Sequence, residues 1–118
     1  MARREKRIDY IELPGSDLDA IEAFYSGAFG WKFIDYGPEY RAFHDGELDG
    51  GFYKSDLKSR RETGSTLVVL FAADLEEVLD VVKAKGGTIA QEIFSFPGGR
   101  RFHFFDPHGN ELAVWSDK

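Results

Sequence analysis

The stretch FFDPHGNELAVW, residues 104–115, places His108, Asn110 and the carboxylates Asp106 and Glu111 within six residues. Histidine and carboxylate at such spacing are the raw material of a divalent-metal site or an acid–base pair. His103 lies just upstream, and the first apolar segment adds Tyr10 and Glu12. The chain has no cysteine, which removes thiolate nucleophiles, disulfides and cysteine zinc sites from consideration. No Ser–His–Asp arrangement stands out. The paired glycines at 50–51 and 98–99 do not sit between a strand and a helix start, as a phosphate-binding loop would, and read as turns or bulges.

Asp106-Pro-His-Gly109 has a second reading as a tight turn. Pro107 suits the second turn position, Asp106 can accept a local hydrogen bond, and Gly109 closes the turn. In that reading His108 points to solvent and has no catalytic role.

These residues need elements to position them, and the chain supplies the elements twice. DLDAIEAFYSGAFGWKF begins at Asp17, and DLEEVLDVVKAKGGTIA begins 57 residues later at Asp74. Gly30 and Gly87 repeat at the same offset. Asp17 and Asp74 are helix N-caps by pattern, the apolar stripes follow at helical spacing, and glycine supplies the stop. Phe24, Tyr25 and Phe29 read as core, and Trp31 as packing. Extended segments surround both helices: RIDYIEL, WKFIDY, EYRAFH and LDGGFYK in the first half, TLVVLFAA, TIAQEIFSF, RRFHFF and ELAVW in the second. Each half therefore reads strand–helix–strand–strand–strand. The expected fold is α+β: two βαβββ modules forming a curved mixed sheet with a cleft. One domain spans 1–118, with module one over about 7–54, a linker over about 55–64 and module two over about 65–116.

Composition narrows the partners. With 42% hydrophobic residues and eleven Phe, the chain can bury a real core. A net charge of −6 argues against a nucleic-acid binder, whose footprint is basic. The basic run at 2–7 lies outside the first apolar segment and reads as a solvated tail. No apolar run approaches the roughly 18–20 residues of a membrane span. No signal peptide is visible, so a cytoplasmic protein with neither membrane nor nucleic-acid partner is expected.

Taken together, YIELPGSDLDAIEAFYSGAFGW (10–31), LDGGFY (48–53), AADLEEVLDVVKAKGG and PGGRRFHFFDPHGNELAVW (97–115) resemble the vicinal oxygen chelate superfamily of glyoxalases, bleomycin-resistance-type proteins and extradiol dioxygenases. The likeness is greatest to its single-domain, glyoxalase-related group. The resemblance implies a homodimer. It also implies one metal ligand on the first and one on the last strand of each module. Carried onto this chain, those positions fall at Tyr10, Asp49 (or Gly50 or Gly51), Leu67 and Ala113. One carboxylate among non-ligands implies no metal cofactor, although an atypical metal site remains an alternative.

Strand alternation then selects the cleft side chains. Ile11, Leu13, Leu112 and Val114 suit the helix-covered faces. Tyr10, Glu12, Asp49, Tyr53, His103, Glu111 and Trp115 remain as candidates for a small-molecule cleft with aromatic walls and a few polar groups. A plainer reading pairs Glu12 and Glu111 with Arg100 or Arg101, and makes His44 a solvent-facing strand end. The expected function is binding of a small, partly apolar molecule without metal. The alternative is a superfamily enzyme of the lyase, isomerase or dioxygenase type that uses cleft carboxylates or an atypical metal site.

Overall fold

The computed structural model describes residues 4–118. Of the basic segment 2–7, residues 2 and 3 lie outside the described residues, and 4–7 are exposed. The chain runs β1 (Tyr10–Gly15), α1 (Leu18–Phe29), β2 (Lys32–Asp35), β3 (Tyr40–His44) and β4 (Asp49–Lys54). After a single 3-10 turn at Arg61–Thr63 it continues as β5 (Val68–Phe71), α2 (Leu75–Ala84), β6 (Thr88–Phe96), β7 (Gly99–Phe105) and β8 (Glu111–Ser116). The two halves repeat the same unit, as the 57-residue offset predicts.

Both helices begin where the sequence places their caps. The Asp17 carboxylate accepts from the Ala20 N–H at 3.1 Å, and Asp74 does the same for Glu77 at 3.1 Å. Each satisfies an otherwise orphaned first-turn donor. Gly30, at φ 73°, ends α1. The second stop differs from the expectation drawn from the repeat. In α2 the left-handed residue is Gly86, at φ 107°, rather than Gly87. Gly87 is there for space, because a Cβ on it would lie 2.7 Å from Val82 and 3.0 Å from the Phe24 ring.

Hydrogen bonding divides the strands into two mixed sheets of identical order, β1-β4-β3-β2 (sheet one) and β5-β8-β7-β6 (sheet two). In each, the first and last strands of the module pair in parallel. The helix-covered faces contribute Leu13, Phe43 and Phe52 from sheet one, and Phe102, Phe104, Leu112 and Val114 from sheet two, to one continuous core. Helix α1 joins them: Tyr25 meets Phe52 at 5.3 Å between ring centroids, and Phe24 meets Phe104 at 5.8 Å. Such fully buried aromatics each cost about 3–5 kcal/mol to truncate to Ala. Because both covered faces share this core, both free faces look away from it. Arg41 fastens α1 to sheet one from within, bonding Glu22 at 2.6 Å and Asp19 at 3.0 Å.

The turn at 106–109 locks the halves together. The Gly109 N–H reaches the Asp106 carbonyl at 2.9 Å, and Gly109 has φ 103°, so the turn is as the sequence predicts. Its side chains reach much further than the local reading allows. Asp106 is buried, and one of its oxygens accepts from the backbone N–H groups of His108, Gly109 and Asn110 at 2.9–3.0 Å. The other oxygen accepts from the Tyr25 hydroxyl on α1 at 2.8 Å and from Asn110 Nδ2 at 3.1 Å. Asn110 also donates to the Pro14 carbonyl at 2.8 Å and accepts from the Ser59 N–H at 2.9 Å. Burial raises the Asp106 carboxyl above its ordinary value, opposed by these donors. The Tyr25 hydroxyl is pushed well up, by burial first and then by the adjacent Asp106.

His108 corrects the expectation of a solvent-pointing imidazole. Its Nε2 sits 2.6 Å from the Leu57 carbonyl, and its Nδ1 lies 3.2 Å from the Ser16 N–H. Since a carbonyl only accepts, Nε2 carries the proton and Nδ1 accepts. His108 thus ties the β1–α1 junction to the linker, partners 92 and 51 residues away in sequence that local turn chemistry cannot reveal.

Candidate functional site

The seven candidate residues all lie on free faces, but on two of them: Tyr10, Glu12, Asp49 and Tyr53 on sheet one, His103, Glu111 and Trp115 on sheet two.

On sheet one, register aligns Glu12, Gly51, Ala42 and Ile34 in a row across the four strands. Glycine and alanine in the middle leave a shallow floor. The parallel row is Tyr10, Asp49, His44 and Lys32. Tyr40 crosses the floor because Gly51 has no side chain, since a Cβ there would lie 1.9 Å from the Tyr40 oxygen. The Tyr40 hydroxyl donates to Glu12 Oε2 at 2.9 Å and lies 2.6 Å from the Tyr10 hydroxyl. With its one proton given to Glu12, Tyr40 accepts from Tyr10, so a relay runs Tyr10→Tyr40→Glu12. Partial burial, then the bonds to Tyr10 and Glu12, raise the Tyr40 pKa and keep it a donor. His44 Nδ1 stands 2.7 Å from Asp49 Oδ1. The resulting pocket, about 510 Å³, is walled by Tyr10, Ile34, Tyr36 and Tyr40, with Lys32, His44 and Asp49 at one side.

Tyr40 is not among the residues the sequence singles out; Gly50 and Gly51, expected as a turn or bulge, instead lie in the regular β4 ladder, and His44 is expected as a solvent-facing strand end. His44 is half exposed, yet it bonds Asp49 and lines the pocket. Alternation from Ala42 and His44 would have placed Tyr40 on the same face. Its reach over Gly51 depends on strand register, which no local pattern supplies.

On sheet two, His103 is fully buried, with Nδ1 2.8 Å from Glu111 Oε2. Glu111 Oε1 accepts from the Arg61 N–H at 3.2 Å. Ala113 pairs with His103 in register and is itself buried. Trp115 packs edge-on to Phe71 at 5.2 Å and near Phe96 at 6.4 Å. The plainer pairing of Glu12 and Glu111 with Arg100 or Arg101 does not hold. Arg100 binds Glu76 at 2.5 Å and the Lys118 carbonyl at 2.9 Å, so the two carboxylates bond Tyr40 and His103 instead.

The four positions where the superfamily places metal ligands do not fit a divalent ion. Tyr10 and Asp49 are engaged by Tyr40 and His44, while Leu67 and Ala113 carry no donor atom. Among the described residues, no group of three or more His, Asp or Glu is placed to hold a metal. Among the same residues, no helix is long and apolar enough to cross a membrane.

Solved structures share this fold at low identity. A glyoxalase/bleomycin resistance protein/dioxygenase family enzyme from Burkholderia phytofirmans PsJN superposes with a TM-score of 0.76 at 19% identity, covering 94% of this chain and 98% of that one. Fosfomycin resistance protein FosX from Listeria monocytogenes, as a variant complexed with Mn(II) and a dihydroxypropylphosphonic acid, gives 0.77 at 20% over 95% and 90%. Lactoylglutathione lyase from Agrobacterium tumefaciens gives 0.72 at 22% over 97% and 96%. No curated protein matches at a significant level. The family model of the Glyoxalase/Bleomycin resistance protein/Dioxygenase superfamily matches residues 7–114. This chain belongs to that superfamily.

Proposed function

We propose that this protein binds a small, partly apolar molecule on the free face of sheet one, without a metal. The observation that carries this reading is an aromatic-walled pocket of about 510 Å³ lined by Tyr10 and Tyr40, whose hydroxyls are ordered by the bond from Tyr40 to Glu12 outside the lining. That volume lies within the range of small-molecule sites. In the relay both protons are already given, leaving a lone pair on the Tyr10 oxygen, which lines the pocket. The pocket therefore favours a ligand with an amine or hydroxyl donor on an apolar body. The metal-free part rests on the donor-poor ligand positions described above.

The protein is further expected to work as a homodimer. Tyr10 and Ile34 on sheet one and Tyr36 just after β2 are 44%, 59% and 66% exposed, and Val69 and Phe71 on sheet two are 42% and 56% exposed. Apolar surface spread over two free faces suits burial by a second copy.

A thermal-shift screen of small amines and alcohols with apolar bodies tests the binding reading, since ligands of the native state raise its stability. Hits should stabilise the wild type and lose that effect in Gly51→Ala, whose methyl displaces Tyr40. A hit that stabilises both equally binds elsewhere and contradicts the assignment.

A further inference from the structure

Sheet two carries two buried polar atoms that no residue satisfies, and they stand on one face of one strand. Among the described residues, Arg101 Nε and His103 Nε2 have no hydrogen-bond partner. Buried polar groups are nearly always paired, and each exception calls for an explanation. The two residues are two apart on β7, so both project from its free face. The Arg101 guanidinium lies over Phe94 at 5.3 Å and Phe96 at 5.7 Å, stacked on rings rather than paired with a carboxylate.

The tautomer of the neutral His103 ring follows from its neighbour. An ionised Glu111 can only accept, so the 2.8 Å contact makes Nδ1 the donor. In the neutral ring, Nε2 is then a lone-pair acceptor fixed in direction by Glu111. Side by side, the face offers a cationic fork that matches a carboxylate and an acceptor that matches a hydroxyl. Phe94, Phe96 and Trp115 supply apolar rings around them: Phe94 lies 5.9 Å from the imidazole, and Trp115 faces Arg101 in register.

A recess adjoins the neighbours of His103. An open recess of about 390 Å³ is bounded by Arg61, Gln91, Phe105 and Glu111. Gln91 is the register partner of His103, and Glu111 is its hydrogen-bond partner. Phe94, which packs against both orphaned groups, comes from a stretch of β6 whose register breaks on either side of Gln91. Such breaks leave Ala90, Glu92 and Ile93 outside the regular ladder, while Phe94 itself is paired with Arg101 and lies across the orphaned groups.

We infer that Arg101 and His103 form a second binding site, for a small 2-hydroxy acid with an aromatic or branched apolar body: the carboxylate on Arg101, the hydroxyl donating to His103 Nε2, and Phe94 as the cover. The site is distinct from the pocket on sheet one and does not depend on it.

The probe is mandelate, with phenylacetate (no hydroxyl) and benzyl alcohol (no carboxylate) as comparisons, followed by calorimetry and by NMR of the His103 imidazole nitrogens. Mandelate should bind at least tenfold more tightly than either comparison and should move the His103 Nε2 resonance. Arg101→Gln should weaken mandelate at least tenfold. Phe94→Ala, which uncovers the site, should speed association, and Gly51→Ala should leave mandelate binding unchanged. The Nε2 resonance is read in the wild type, so the test survives a His103 variant that fails to fold. Equal affinity for all three probes, an unmoved Nε2 resonance at saturation, or an unaffected Arg101→Gln would each overturn the inference. Loss of mandelate binding in Gly51→Ala would place the ligand on sheet one instead.

Discussion

Asp106→Asn separates two views of the 106–109 turn: a solvent-facing loop, or the bond that holds the modules together. The substitution is nearly isosteric, so its effect is chemical. Its amide oxygen can keep the three backbone donors that Asp106 Oδ1 accepts. Its NH2 must then confront the Tyr25 hydroxyl and Asn110 Nδ2, both of which donate to Oδ2 in the native protein. Hydrogen bonds to a charged acceptor contribute about 1.5–3 kcal/mol each, so losing two costs about 3–6 kcal/mol. Removing a buried charge offsets part of this, because burial already raises the Asp106 carboxyl above its ordinary value. A net loss of about 2–4 kcal/mol is expected. For 118 residues that corresponds to a Tm lowered by about 8–16 °C. Urea unfolding followed by the fluorescence of Trp31 and Trp115 gives the number directly. Tyr25→Phe should cost about half as much alone and little more in the Asp106→Asn background, since the two share one bond. If Asp106→Asn stays within about 0.5 kcal/mol of wild type, or the two variants add fully, the turn does not hold the modules as described.

Three further outcomes follow from other parts of the molecule. His108→Ala removes the contacts to Ser16 and Leu57 and should lower stability by about 1–2 kcal/mol, measurable by the same unfolding curve; no change would restore the solvent-facing reading. Elemental analysis of purified protein should find well under one divalent ion per chain, and a tightly held stoichiometric ion would contradict the metal-free reading. Light scattering at micromolar concentration should give the mass of two chains, whereas a lone monomer would leave the exposed faces of Ile34, Tyr36 and Phe71 unexplained.

Much of this architecture is written locally. The Asp caps, the helical stripes and the 57-residue repeat are short-range patterns, and each appears where the spacing predicts. Strand alternation, also local, placed all seven candidate residues on free faces. What is missing locally is long-range. His108 meets Ser16 across 92 residues, and Tyr25 meets Asp106 across 81, so a turn motif cannot disclose either bond. The division of the candidates between two faces likewise follows from both sheets turning their covered faces to one core, a matter of packing rather than of pattern. Tyr40 was missed because its role depends on a glycine opposite it in a strand paired through register.

The central claim, a ligand held on the free face of sheet one, is tested most directly by amide chemical-shift mapping with a hit from the amine and alcohol screen. The account predicts perturbations clustered along Tyr40–His44 and Asp49–Tyr53 and abolished in Gly51→Ala. Shifts confined to the helices, the linker or sheet two would contradict it.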